Sequence, residues 1–167
     1  MRPLAPLRRR RGALAILGSL AAVALLAGCA GAVNTAPAPY AADPLCAEVL
    51  RTSPATLGGQ EERSTTSQAS GAWGDPAISL RCGVEPPGPT TDRCLAVSGP
   101  TDEVVDWVMT EEGTDQGEEG SWTFTTFGRS PAVEVVIPVQ FAGDAPTEIL
   151  VELETAIQLI PQTRQCL

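Results

Sequence analysis

Ala132-Val133-Glu134-Val135-Val136-Ile137-Pro138-Val139, followed soon after by Glu148-Ile149-Leu150-Val151-Glu152-Leu153-Glu154-Thr155-Ala156-Ile157-Gln158-Leu159-Ile160-Pro161, decides how this chain folds. In the first run Val133, Val135, Ile137 and Val139 occupy every second position, the period of a strand with one buried face. In the second run the period changes. Leu150, Leu153, Ile157 and Ile160 form one stripe and Glu148, Glu152 and Thr155 lie opposite, which predicts an amphipathic helix of about four turns ended by Pro161.

Upstream, the strand period recurs. Trp122, Phe124 and Phe127 mark a strand whose phase slips near Thr125 and Thr126, as a bulge would cause. Val105, Trp107 and Met109 alternate, although Val104 and Val108 also allow a helical turn. Leu95 and Val97 suggest another strand, and Ile78, Leu80, Cys82 and Val84 alternate with Ala77, Ser79 and Arg81. Residues 58–71 are rich in Gly, Ser and Thr and read as a loop with room for an edge strand. Asp43-Pro44 sets a capping carboxylate before a proline suited to a first helical turn, so a short helix is expected to about Thr52. The expected fold is α+β: an antiparallel sheet of about four to five strands flanked by a short N-terminal helix and an amphipathic C-terminal helix, with two disulfides.

The front of the chain says where the protein works. Arg2 and Arg8 to Arg11 precede an uncharged, small and aliphatic run over residues 13–27, which ends in Leu26-Ala27-Gly28-Cys29. A positive start, a short apolar run and a small-residue cleavage site describe a signal peptide. The cysteine placed directly after the small pair marks a bacterial lipoprotein, with a diacylglyceryl group on the Cys29 thiol. The expected organisation is a signal peptide over 1–28, lipidated Cys29 and a flexible Ala/Pro tether over 29–42, and one extracytoplasmic domain over 43–167. Two acyl chains on one residue suffice for stable attachment to the cell membrane.

Charge and composition then narrow the chemistry. All 20 acidic residues follow Cys29 but only six of the 11 basic residues do, leaving that part a formal charge of −14. Nucleic acid is excluded as a partner, because approach to phosphate costs repulsion. The chain has no histidine, hence no general base of the usual kind near neutral pH and no common zinc ligand. It also has no lysine, which removes Ser-Lys and Schiff-base chemistry. No nucleophile elbow, P-loop or GxGxxG turn is present. The expectation is a protein that is not an enzyme and needs no cofactor. The acidic run Glu111-Glu112-Gly113-Thr114-Asp115-Gln116-Gly117-Glu118-Glu119 offers oxygens to calcium but lacks EF-hand spacing, and a solvated hairpin loop accounts for it.

Beyond Cys29 there remain Cys46, Cys82, Cys94 and Cys166, an even count that in an exported chain reads as two disulfides. No CxxC and no histidine are available for a metal or redox site. Cys82 and Cys94 flank the proline-rich segment 85–93, which reads as a loop joining neighbouring strands. That favours Cys82 with Cys94 and, by elimination, Cys46 with Cys166; spacing alone leaves the other two pairings open.

Two segments stand out: Trp73-Gly74-Asp75-Pro76 with Arg81-Cys82-Gly83, and Phe127-Gly128-Arg129-Ser130-Pro131. Trp73 and Arg129 are candidate partner-binding anchors, since tryptophan and arginine dominate binding hot spots. For Trp73 the favoured role is structural, covering an end of the sheet where Asp75-Pro76 turns the chain into the strand; Arg129 can equally pair with a buried carboxylate or meet an anionic ligand. With Cys46, Cys94, Asp106-Trp107, Val133-Glu134-Val135 and a closing Cys166, these segments resemble an actinobacterial family catalogued as domain of unknown function 3515, over about residues 43–167. The resemblance implies a lipoprotein or membrane-anchored secreted protein and supplies no activity, substrate or catalytic residue. The sequence therefore points to a binding or accessory module at the outer face of the cytoplasmic membrane, with an envelope protein or cell-wall component as partner. A carboxylate-dependent cell-wall hydrolase is the alternative.

Overall fold

The structure, a computed structural model, describes residues 31–101, 103–112, 120–142 and 145–166. The signal peptide and Cys29 lie outside the described residues, as does the acidic run apart from the backbone of Glu111 and Glu112. One compact unit covers Ala32–Leu167. The first element is helix α1 (Pro44–Thr52), where the Asp43 carboxylate accepts from the Leu45 N–H and Pro44 opens the first turn, as expected. Eight strands follow: β1 (Thr56–Leu57), β2 (Gln60–Arg63), β3 (Ser70–Trp73), β4 (Ile78–Val84), β5 (Arg93–Ser98), β6 (Val104–Glu112), β7 (Ser121–Thr126) and β8 (Ala132–Pro138). Three short helices close the chain: α2 (Val139–Ala142), α3 (Thr147–Val151) and α4 (Glu154–Ile157).

The strands form a single antiparallel sheet in the order β1-β2-β3-β4-β8-β7-β6-β5. The α+β class holds, but eight strands replace the four to five expected. The additional ones are β1, β2 and β3, which are short and lie in or beside the polar stretch that reads as a loop. Of these only β1 is an edge; all three are two to four residues long, too short for an alternation of apolar and polar residues to stand out, although Leu57, Ala72 and Trp73 are buried.

The topology is two consecutive meanders, β1 to β4 and β5 to β8, joined where β4 pairs with β8. Residues 85–92 are consequently a crossover between the sheet's centre and its far edge. Cys82 on β4 and Cys94 on β5 are separated by β8, β7 and β6, which overturns the expected pairing. The bonds are Cys46–Cys82, with Cα atoms 5.4 Å apart, and Cys94–Cys166, with Cα atoms 6.0 Å apart. One fastens α1 to the middle of the sheet, and the other fastens the closing segment to β5.

The core lies on one sheet face. Ile78, Leu80 and Cys82 of β4, Val133, Val135 and Ile137 of β8, Phe124 of β7, and Val105, Trp107 and Met109 of β6 all point there. Cys46 and Val49 of α1 cover it, together with Ile149, Leu150, Leu153, Ala156, Ile157 and Ile160. Val104–Glu112 is thus a strand, not a helical turn. The expected four-turn helix keeps its buried stripe but splits into α3 and α4. Glu152 and Leu153 remain in the right-handed helical region, and the Leu153 N–H bonds three residues back, to the Leu150 carbonyl.

Two smaller departures bear on the site. The phase slip falls in β4, where Gly83 at φ 95° shifts the register between Cys82 and Val84, while β7 pairs with β8 without interruption from Ser121 to Thr125. The expected flexible tether is docked over residues 32–42. Val33 bridges Thr65 in parallel, Thr35 bonds to Thr66, Ser67 and Ser70, and the Tyr40 N–H reaches the Gly83 carbonyl at 2.8 Å. Ala38 and Ala41 are buried against Val84 and Ala132 in a second, smaller apolar cluster. Small alanines let this backbone lie close, and the hydroxyls of residues 65–70 satisfy its polar groups.

Candidate functional site: a clasped closing segment and its cleft

The sheet face opposite the helices carries polar side chains. Register places Ser70, Arg81, Glu134, Thr125, Val108 and Cys94 in one row across six strands. Arg81 donates to Glu134 at 2.7 and 2.9 Å, an ion pair between directly opposed residues. At the β5 end of the row, the Cys94–Cys166 bond brings the closing segment against β6.

Asp106 does most to hold that segment. It is the charged residue of a run that is otherwise apolar from Val104 to Met109, and it is buried. Its Oδ2 accepts from the Cys166 N–H and from Gln162 Nε2, both at 2.8 Å. Gln162 passes the connection on, its Oε1 accepting from Arg129 Nη2 at 3.0 Å. Arg129 Nη1 also donates to the carbonyl of Ile160, just past the last helical turn. Burial lowers the Arg129 pKa, and the negative charges of Asp106 and Glu103 oppose that shift. The guanidinium remains charged in any case, so the nearby carboxylates balance a cation inside the fold.

Gly128 completes the clasp. Its φ of 72° is left-handed, and a Cβ there would run into the Arg164 backbone. The Gly128 carbonyl accepts from the Thr163 N–H at 2.7 Å and its hydroxyl at 2.9 Å. Residues 162–166 therefore lie against the 127–129 turn, with Arg129 bridging Gln162.

Between the closing segment, the crossover and the open sheet face is a cleft of about 640 Å³. Cys94, Val108 and Phe127 supply its apolar parts, and Arg164 sits over the Phe127 ring at 5.3 Å from the centroid. Thr90 and Asp92 line it from the crossover, where the Thr90 hydroxyl caps Asp92 at 2.7 Å. Such a volume lies within the range of small-ligand sites.

Both candidate partner anchors are interior, so the structure favours the other role weighed for each: Trp73 covers an end of the sheet and Arg129 lies near the buried Asp106. Trp73 is 1% exposed and its Nε1 donates to the Pro54 carbonyl at 2.9 Å, so the indole closes one end of the core. Arg129 is 5% exposed and committed to the clasp. Sequence reasoning missed Asp106, Gln162 and Phe127 as a group. A lone carboxylate inside an apolar strand is the signal for Asp106, because a buried charge requires partners. Gln162 and Phe127 carry no such signal.

Residues 12–165 match the family described as "Protein of unknown function (DUF3515)". The chain belongs to this family. No curated protein and no solved structure matches it. The segments by which the sequence resembles DUF3515 fall into two structural groups. Trp73-Gly74-Asp75-Pro76 turns β3 into β4, and Asp106-Trp107, Phe127-Gly128-Arg129 and Cys166 converge on the clasp. Among the described residues no helix is long and apolar enough to cross a membrane, and no three His, Cys, Asp or Glu side chains gather as metal ligands.

Proposed function

We propose that this DUF3515 protein is a lipid-anchored, extracytoplasmic binding or accessory module that engages an envelope protein or cell-wall component through the cleft beside Cys94–Cys166. The signal pattern ending at Cys29 supports the anchor and the side of the membrane. Two disulfides support an oxidising compartment.

The observation that carries binding over catalysis is the composition of the cleft. It offers an aromatic ring, an arginine and an apolar floor, and Asp92 is the one carboxylate among the described residues lining it. A carboxylate-dependent hydrolase needs two facing carboxyl groups. The buried acids are already engaged: Asp106 by the clasp, and Glu154 by the Thr101 hydroxyl at 2.8 Å.

The test is crosslinking from intact cells with the anchored protein, comparing wild type with Phe127→Ala and Arg164→Ala. Each is expected to lower recovery of the specific partner about tenfold or more, a loss of about 1.4 kcal/mol, while circular dichroism shows the fold retained. Lipid labelling should disappear in Cys29→Ser. Hydrolysis of purified cell wall by the wild-type domain, abolished by one carboxylate substitution, would replace this reading with the hydrolase.

A further inference from the structure

The docked segment over residues 32–42 leaves almost no free chain ahead of the fold. Only Ala30 and Gly31 separate Cys29 from the unit that begins at Ala32, and Val33 is already fixed by hydrogen bonds to Ser64 and Thr66. Four residues of extended chain reach at most about 14 Å. A lipid on Cys29 therefore has a short lead to one particular rim of the domain, the turn between β2 and β3.

That rim suits an anionic surface. Residues 32–42 and 63–74 together contain no carboxylate, although the chain after Cys29 has a formal charge of −14 from six arginines against twenty acids. The rim presents hydroxyls and amides instead: Ser64, Thr66 and Gln68 are exposed. With a screening length of about 8 Å at physiological salt, carboxylates brought to the membrane would be repelled and this rim would not.

We propose that the Ser64–Ser70 turn, with the docked residues 33–35, is a membrane-contact face seated on lipid headgroups, so that the domain stands in one orientation. This rests on Cys29 being the lipid-bearing residue. The row from Ser70 to Cys94 then serves as a spacer. Five inter-strand steps of about 4.8 Å hold the cleft about 24 Å along the sheet from the anchored rim.

The test uses the lipidated full chain, reconstituted in phosphatidylcholine–phosphatidylglycerol vesicles, with and without a twenty-residue Gly/Ser insert after Gly31. The insert follows Gly31, a position where a Cβ would meet nothing within 4 Å. It would free the domain over about 25 Å. Hydrogen–deuterium exchange of residues 64–70 is expected to be at least threefold slower without the insert than with it, and the cleft residues 89–92 are expected to be unchanged. Equal exchange in the two proteins, or protection confined to the cleft, would overturn the proposal while leaving the anchor intact. Intact mass showing no lipid on Cys29 would sink the anchor itself and this orientation with it.

Discussion

Asp106 accepts two hydrogen bonds from the closing segment, and its removal leaves the Cys166 N–H unsatisfied, leaves Gln162 Nε2 with only the Arg164 carbonyl, and takes away the charge that most offsets the burial of Arg129. Asp106→Ala is accordingly expected to cost about 2–3 kcal/mol in urea unfolding. Tyr40 offers a contrast, because its hydroxyl bonds Glu85 at the surface, and Glu85→Ala should stay within about 0.5 kcal/mol. A second residue-scale prediction concerns acid. Burial alone would push the Glu154 carboxyl up. Hydrogen bonds from the Thr101 hydroxyl and N–H, the Gly99 N–H and Gln158 outweigh that and hold it below its ordinary value. A lowered folded pKa contributes stability that is present above the unfolded value and lost as pH falls through the folded one. Glu154→Gln should therefore lose stability at neutral pH, and acid titration followed by circular dichroism should show its deficit relative to wild type shrinking toward low pH. These roles were only partly legible. The Asp106 carboxylate in an apolar strand announces a buried partner, but the partner, Gln162, lies 56 residues away and has the composition of any surface amide.

Elements divide into those that local pattern specifies and those that only pairing specifies. Helix α1 and strands β4 and β8 were readable because a capping aspartate, a proline and a period of two act within a few residues. Strands β1 to β3 acquire their structure from neighbours, and the 147–160 region keeps its stripe while its hydrogen bonding shifts at Leu153. The expected disulfide pairing fails for a topological reason: the segment between Cys82 and Cys94 has the composition of a hairpin loop but crosses the sheet. Non-reducing peptide mapping should return Cys46 joined to Cys82 and Cys94 joined to Cys166. On the chain-entropy account, loops of 36 and 72 residues make each bond worth about 4 kcal/mol. Replacing both Cys94 and Cys166 with serine should also raise hydrogen exchange across residues 162–166. Gly128→Ala should reproduce that local release with the disulfide intact, at a cost above about 1 kcal/mol, because the added methyl meets the Arg164 backbone.

At the scale of the whole molecule, the β4–β8 seam is where the two meanders become one sheet. Arg81 on β4 meets Glu134 on β8, 53 residues further along the chain. Until β8 has been delivered, β4 presents a bare row of peptide groups on one flank, and neither half of the sheet is a finished object. If the chain is exported as proposed, threaded out from its front, it passes through this stage with Cys46 and Cys82 already outside and the mate of β4 still to come. A fragment ending before residue 92 is expected to self-associate through that flank, visible as oligomers in size-exclusion chromatography that the full chain does not form. The seam thus makes arrival of the second half the step that covers this flank, and under the lipoprotein reading proposed above it gives an export route a reason to shield the first half while it waits.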